Sequence, residues 1–285
     1  MRFRSGLLIG IFGLIVVSLG GWFFTLSTPL LTYLALLEFF RMAEFKGIKP
    51  ATKTTLFSSF VIIICTYLQT IGWLEGEISN SILPICSVGI CTWLLLQPKP
   101  GTISDIAASI FGLFYLGFLP SYWIKLRGLE AIIISSNQSF ISFENLSNTT
   151  GLNLTLTSCF LIVASDIGSY FIGKSFGKTS LSPISPSKTI EGLIGGIFCS
   201  ILLAIFFSFL LNWENPLLVG ILHGIIISLM ALVGDLIESM MKRDAKIKDS
   251  GNFLPGHGGI LDRIDSYIFT PSILYYIFII LKYLS

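Results

Sequence analysis

Long apolar segments recur from one end of the chain to the other, and they restrict the possible folds more than any other feature. A helix that crosses a bilayer needs ~20 predominantly apolar residues. Here 53% of the 285 residues are hydrophobic, and the mean hydropathy is +0.83. A soluble core of this size does not require so much apolar sequence. The predicted fold class is therefore all-α, a polytopic integral membrane protein.

Nine apolar segments are predicted to be transmembrane helices, and neighbouring helices would cover the shorter ones. The second is the shortest and follows a Thr-Pro pair, so the alternative for it is part of a broken or re-entrant element. The segments are 6–26, 30–40, 55–71, 81–96, 103–124, 152–171, 193–211, 217–241 and 267–284. We divide the chain into an N-terminal part, 1–150, with about five helices, and a C-terminal part, 151–285, with charged loops at 172–192 and 242–266.

The positions of the basic residues predict the orientation, because cytoplasmic loops of membrane proteins carry an excess of Lys and Arg. If the N-terminus is cytoplasmic, nine helices place 15 of the 18 basic residues on the inner side. Only Lys125, Arg127 and Lys282 fall outside. The charged C-terminal loop is thus expected to face the cytoplasm. No transit segment is evident, so a bacterial cytoplasmic membrane is the expected location.

The remaining composition excludes some classes of protein. The five cysteines form no C-x-x-C pair, so neither a disulfide framework nor a zinc site is indicated. The net charge of +2 says little about partners. We expect no nucleic-acid partner. His223, inside the eighth apolar segment, is predicted to donate a hydrogen bond between helices.

Charge is concentrated in residues 232–266, which hold six of the 16 acidic residues. Asp235 and Glu238 are three residues apart and share one face of a helix. Asp262 and Asp265 repeat this spacing after a glycine-rich turn. Acidic residues contribute little to membrane topology, and carboxylates in membrane segments usually mark function. The four carboxylates are therefore predicted to converge on one site.

Basic residues lie between the two carboxylate pairs and include Lys242, Arg243 and Lys248. A Pro-Gly-His-Gly-Gly turn at 255–259 follows, and its glycines let backbone N–H groups approach an anion. The basic residues alone would be a topology signal. Together with carboxylates for a hard cation, they indicate metal-assisted phosphoryl chemistry. His257 could equally contact phosphate or support the turn.

The order and spacing of these residues resemble the C-terminal signature of the phosphatidate cytidylyltransferase, or CDP-diglyceride synthase, family. An upstream region is also similar to that family: Asp166 and Tyr170, a Gly-Lys pair, then Ser-Pro-x-Lys-Thr-x-Glu-Gly from Ser185 to Gly192. Ser187 departs from the pattern, because many members have Lys there. The C-terminal residues are Ser239-Met-Met-Lys242-Arg243, Lys248-Asp249, Pro255-Gly-His257-Gly-Gly and Asp262-Arg263-Ile-Asp265.

The resemblance implies transfer of a cytidylyl group from CTP to phosphatidate, with release of pyrophosphate. Oxygen ligands and phosphate chemistry suit Mg²⁺ or Mn²⁺. We expect Mg²⁺, alone or with a second cation, and a homodimer. The implied metal residues are Asp235, Asp262 and Asp265, joined by Glu238 and Asp166. The implied catalytic residues are Asp235, Asp262, Asp265, Lys242 and Arg263, and the implied substrate-binding residues are Lys188, Arg243, Lys248, Ser239, His257 and Ser185.

Two other functions share some of these features. A metal-dependent transferase acting on another lipid phosphate, such as a polyprenyl phosphate, would use the same site chemistry. An ion-coupled transporter would also place acidic residues within a helical bundle. Transporters normally bury them near the bilayer midplane beside broken helices, whereas these carboxylates are predicted at one membrane face.

Overall fold

The structure is a computed structural model that describes residues 2–129, 150–213, 215–251 and 258–284. It is built almost entirely from helices. They are α1 (Arg2–Leu19), α2 (Gly21–Phe45), α3 (Thr52–Thr70), α4 (Gly76–Leu95), α5 (Ile103–Gly112), α6 (Leu119–Arg127), α7 (Thr150–Phe176), α8 (Ile190–Leu210), α9 (Pro216–Asp244), α10 (Leu261–Ile268) and α11 (Thr270–Leu284). An antiparallel hairpin, β1 (Ser180–Ser182) and β2 (Ser185–Thr189), lies between α7 and α8 and was not part of the all-α prediction.

Five of the described helical stretches are long and apolar enough to cross a membrane: α2, Ile103–Arg127, Gly151–Phe176, α8 and α9. The chain is therefore an all-α integral membrane protein. The second stretch contains α5 and α6 joined by a π-helical segment, Leu113–Phe118. Inside this segment Gly117 allows α3 to approach, since a Cβ there would lie 2.9 Å from the Cβ of Ser59.

The predicted break between the first two helices, at residues 27–29, is wrong. The chain turns instead at Gly20 and Gly21, whose φ angles of 62° and 49° lie in the left-handed region that favours glycine. Pro29 lies inside α2. A proline costs the helix one backbone hydrogen bond, here the bond to the Thr25 carbonyl, and the helix nevertheless continues through Pro29 to Phe45. The second helix is consequently one of the longest.

Helices α7, α8 and α9 pack with very close backbones because small residues face one another. A Cβ on Gly224 of α9 would lie 2.6 Å from the Cα of Ile201 on α8. Between α7 and α9, the hydroxyls of Ser165 and Ser228 form a 2.7 Å hydrogen bond. This packing brings the charged ends of the three helices together.

His223 forms the predicted hydrogen bond between helices. Its Nε2 lies 3.2 Å from the hydroxyl of Ser158, so it joins α9 to α7. His223 is buried, and the contact supplies a polar partner inside an apolar bundle.

Ion pairs and hydrogen bonds show which helix ends share a face of the bundle. Lys46, after α2, pairs with Asp244 at the end of α9, with 2.6 Å between Nζ and Oδ1. The Lys49 N–H donates to Asp105 at the start of α5, also at 2.6 Å. At the opposite face, the Arg127 guanidinium donates to the Val17 carbonyl near the end of α1. We call the face that carries the Lys46–Asp244 and Lys49–Asp105 contacts the inner face.

The last predicted segment, 267–284, is divided in the structure between α10 and α11. Pro271 lies in the first turn of α11 and has no N–H to donate to the Tyr267 carbonyl. The indole N–H of Trp123 donates to that carbonyl instead, at 2.9 Å. The break lets α10 turn its acidic face toward α9 while its apolar residues pack with α2.

Candidate functional site

Three carboxylates meet at the inner face, two from α9 and one from α10. Oxygen atoms of Asp235, Glu238 and Asp265 all lie within 4.8 Å of one another. Glu238 is completely buried, and Asp265 is 8% exposed. Gly234 makes this possible, because a side chain there would collide with the Asp265 carbonyl. We call these three residues the carboxylate cluster.

The carboxylate cluster fits a hard divalent cation. Three negative charges at this spacing, two of them on buried side chains, repel one another. Burial and the neighbouring charge of Asp235 raise the pKa of Asp265 to about 7. A bound cation would offset this repulsion, and oxygen donors are the ligands that Mg²⁺ prefers.

Asp262, predicted to be a metal ligand, lies beside the cluster, and both of its oxygens have hydrogen-bond partners within the protein. One of its oxygens accepts a hydrogen bond from the Lys242 ammonium at 2.7 Å. The other accepts from the backbone N–H groups of Ser250 and Gly259, at 3.0 and 2.8 Å. Burial alone would raise the pKa of this carboxyl, but its hydrogen bonds from the Lys242 ammonium and the Gly259 N–H lower it to about 2. Asp262 therefore anchors the glycine-rich loop as an anion.

Two lysines neutralise part of the negative charge. Lys242 forms ion pairs with both Glu238 and Asp262. Lys188, at the end of strand β2, forms an ion pair with Asp235. The hairpin that carries Lys188 is held by Glu191, whose carboxylate accepts from the N–H groups of Lys178 and Thr179 at 3.1 and 3.2 Å.

A cavity of about 590 Å³ opens beside the cluster, between α7, α8, α9 and the hairpin. Its lining combines charged residues with apolar and small ones from the helices. Asp166, predicted as a further acidic member, lies in this wall rather than in the carboxylate cluster. The charged lining residues are Asp166, Lys174, Lys188, Asp235, Lys242, Asp262 and Asp265. The cavity therefore offers both cations for phosphate and carboxylates for a metal.

The other residues predicted to bind substrate lie outside the carboxylate cluster. The Ser239 hydroxyl lies 3.5 Å from an Asp235 oxygen, one turn along α9. Ser185 is buried at the start of β2. Arg243, Lys248 and Arg263 are exposed and are not among the residues that line the described cavity. His257 lies outside the described residues.

Two residues of this region were missed by sequence reasoning. Glu38 of α2 is buried and accepts hydrogen bonds from the loop that precedes α10. Ser250 joins that carboxylate to Asp262. No spacing rule connects Glu38 with residues more than 200 positions later. A single acidic residue in an apolar segment was the available signal.

The fold and site define an all-helical integral membrane protein with an inner-face cavity suited to a divalent cation and phosphate. More specifically, the chain belongs to the cytidylyltransferase family, whose model matches residues 1–281. It is 42% identical over 276 residues to a phosphatidate cytidylyltransferase of Synechocystis sp., which covers 93% of this chain and 92% of the relative. The resemblance seen in the sequence is thus confirmed.

Other relatives carry the same description. Phosphatidate cytidylyltransferase 5, chloroplastic, of Arabidopsis thaliana is 39% identical over 281 residues, covering 96% of this chain and 70% of the relative. A phosphatidate cytidylyltransferase of Bacillus subtilis is 31% identical over 280 residues, with 97% and 96% covered. The similarity therefore extends over nearly the whole chain, including the N-terminal helices.

Proposed function

We propose that this protein transfers the cytidylyl group of CTP to phosphatidate, forming CDP-diacylglycerol and pyrophosphate. The observation that carries this function is the cavity at the inner face, where the carboxylate cluster adjoins Lys188 and Lys242. The descriptions of the full-length relatives agree with it. The lipid substrate requires a site within reach of the bilayer, and the nucleotide requires a site open to water.

The reaction joins two anions without a protein nucleophile. A phosphate oxygen of phosphatidate attacks the α-phosphorus of CTP, and the bond between that phosphorus and the bridging oxygen of the β-phosphate breaks. The pyrophosphate leaves with this oxygen. Catalysis then depends on positioning and on neutralising charge. Lys188 and Lys242 are the cavity lysines best placed to bind phosphate groups. Both lie beside carboxylates assigned to the metal, where the reacting phosphates would bind.

We assign Mg²⁺, alone or with a second cation, to Asp235, Glu238 and Asp265. A bound divalent cation neutralises phosphate charge and polarises the reacting phosphoryl group. Asp166 lies in the cavity wall, where it could take part in binding a second cation. Asp262 binds the Lys242 ammonium and the Gly259 N–H, so it supports cation binding by positioning Lys242 and the loop.

We further propose nine membrane crossings with a cytoplasmic N-terminus, in which α1, α3, α4 and α11 also span. The end of α2, the start of α5 and the end of α9 lie at the same inner face, as this alternation requires.

The active site would face the cytoplasm of a bacterial cell from its cytoplasmic membrane. The first 150 residues form the supporting part and residues 151–285 the catalytic part, and we expect a homodimer.

Purified protein in detergent, supplied with labelled CTP and phosphatidate, tests the function. We expect Mg²⁺-dependent formation of labelled lipid and stoichiometric pyrophosphate. A polyprenyl phosphate offered in place of phosphatidate serves as the acceptor control. Product with the polyprenyl acceptor alone would replace the proposal with a different lipid-phosphate transferase. Absence of pyrophosphate with either acceptor would contradict both.

A further inference from the structure

Glu38 makes contacts that are unusual for an acidic residue in a membrane helix. It lies near the inner end of α2 and is 6% exposed. Its two carboxylate oxygens accept hydrogen bonds from the N–H groups of Ile260 and Leu261, at 3.0 and 2.9 Å. A third comes from the Ser250 hydroxyl at 2.9 Å. Within the described part of the chain, Glu38 has no ion-pair partner.

These contacts place the negative charge at the start of α10. The first N–H groups of a helix have no partner within the helix, and the helix dipole favours an anion there. A buried carboxylate is costly unless such donors surround it. Glu38 therefore fixes the position where α10 begins, although the two elements are far apart in sequence.

The same carboxylate is linked to the carboxylate cluster. The Ser250 hydroxyl lies 2.9 Å from Glu38 and 3.0 Å from Asp262. Asp262 in turn binds Lys242, which pairs with Glu238 of the cluster. The path runs through hydrogen bonds and ion pairs alone, from α2 to α9.

Two glycines leave the space that this arrangement needs. A side chain at Gly251 or Gly259 would collide with the Glu38 carboxylate. Gly259 belongs to the turn at 255–259 that the sequence predicts to bind phosphate, and it thus has a second purpose. Both glycines let the backbone at their positions lie against a carboxylate from another helix.

We propose that Glu38 is a positioning residue for the carboxylate cluster. It holds the start of α10 so that Asp265 lies against α9, and it orients Asp262 through Ser250. This inference rests on the proposed function, since the cluster it positions is the one assigned to the metal. It also gives the N-terminal part of the chain a direct contribution to the site.

The test compares Glu38→Gln with Glu44→Gln in the full-length protein in detergent. Glu44 lies on the same helix but is exposed, so it is a matched control for the same change. Glutamine keeps the size of the side chain but replaces one acceptor oxygen with an NH₂ donor. We expect faster hydrogen exchange of the backbone amides at 258–268 in Glu38→Gln alone.

The second readout is the binding of Mn²⁺ alone, measured by electron paramagnetic resonance. Changes behind metal ligands typically lower affinity by about 10- to 100-fold, and we expect a loss of this size in Glu38→Gln. The Mg²⁺ concentration for half-maximal CDP-diacylglycerol formation should rise in parallel. Ser250→Ala removes the hydroxyl that contacts both Glu38 and Asp262 but keeps the backbone N–H that donates to Asp262. It should move both quantities in the same direction by less.

Several results would overturn the inference. Unchanged exchange at 258–268 would show that Glu38 does not hold α10. Faster exchange with Mn²⁺ affinity equal to that of Glu44→Gln would make Glu38 a structural anchor only. A parent that binds no Mn²⁺ would also overturn it. If Glu38→Gln does not fold, an unaltered Mn²⁺ affinity in Ser250→Ala decides against the proposal.

Failure of the proposed function gives a different pattern. A parent that binds Mn²⁺ but forms no CDP-diacylglycerol would contradict the reaction. The exchange and Mn²⁺ measurements would still decide the role of Glu38.

Discussion

Lys188 of the hairpin and Asp235 of α9 form an ion pair at the wall of the cavity. Their side chains are 24% and 34% exposed, so both remain open to a ligand. A cation for phosphate and a carboxylate for metal therefore neutralise each other in the free protein. When a divalent cation binds Asp235, we expect Lys188 to leave this ion pair and bind the nucleotide phosphates. Binding of the cation and binding of CTP would therefore be coupled.

Lys188→Ala should weaken the use of CTP. The loss should be about 1.5–3 kcal/mol in kcat/KM for CTP, the value of a hydrogen bond to a charged group. Lys53→Ala, at an exposed position of α3, is the matched control. Steady-state rates at subsaturating CTP measure the difference. Activity within twofold of the control would remove Lys188 from the site.

Asp235→Asn and Asp265→Asn should each lower turnover on the order of 100-fold or more, because even changes behind metal ligands cost about 10- to 100-fold. The amide keeps the size of the side chain but removes charge that a hard cation needs. The Mg²⁺ requirement of the residual activity should increase. Asp244→Asn, at the exposed end of the same helix as Asp235, should behave like the parent. Near-parental turnover of both cluster variants at limiting Mg²⁺ would contradict the metal assignment.

Asp262→Asn should combine a loss of activity with a loss of stability. Its carboxylate accepts from Lys242 and from two backbone N–H groups, and an amide replaces one acceptor oxygen with a donor. We expect unfolding to become easier by about 1–3 kcal/mol, seen as a lower Tm in detergent. Asp235→Asn, whose carboxylate is more exposed, should change Tm less. Equal Tm values for the two variants would show that Asp262 does not anchor the loop.

Single cysteines test the proposed membrane topology. After replacement of the native cysteines, residues introduced at Ser180 and Lys246 should react with an impermeant thiol reagent only from the cytoplasmic side. A cysteine at Trp73, exposed after α3, should react from the other side. Labelling of all three positions from one side would rule out nine crossings with this alternation.

Gly224→Ala should destabilise the bundle by about 1–3 kcal/mol, as overpacking usually does. The added Cβ would lie 2.6 Å from the Ile201 Cα, and backbone cannot move aside cheaply. Gly89→Ala in α4 is the control, since its Cβ would have no neighbour within 4 Å. Thermal unfolding of both variants measures the difference. A Tm for Gly224→Ala at or above that of the control would contradict the close packing of α8 and α9.

The sequence by itself determined the class of protein and the region of the site. Apolar length is a local property, so the membrane helices could be predicted segment by segment. The spacing of Asp235 and Glu238 depends only on helix geometry, and their shared face followed directly. The order of motifs also led to the family, because a family signature is written in the chain itself.

Only the tertiary structure decided which residues meet. The first turn falls at Gly20, where φ is 62°, because glycine can adopt that conformation while Pro29 remains compatible with a helix. Asp262 and Asp265 repeat the spacing of Asp235 and Glu238 but make different contacts, since Asp262 binds the loop before α10 and Asp265 lies against α9. Glu38 reaches α10 through packing between distant segments. Helical periodicity describes neighbours within one element, so it cannot predict contacts that arise when separate helices assemble.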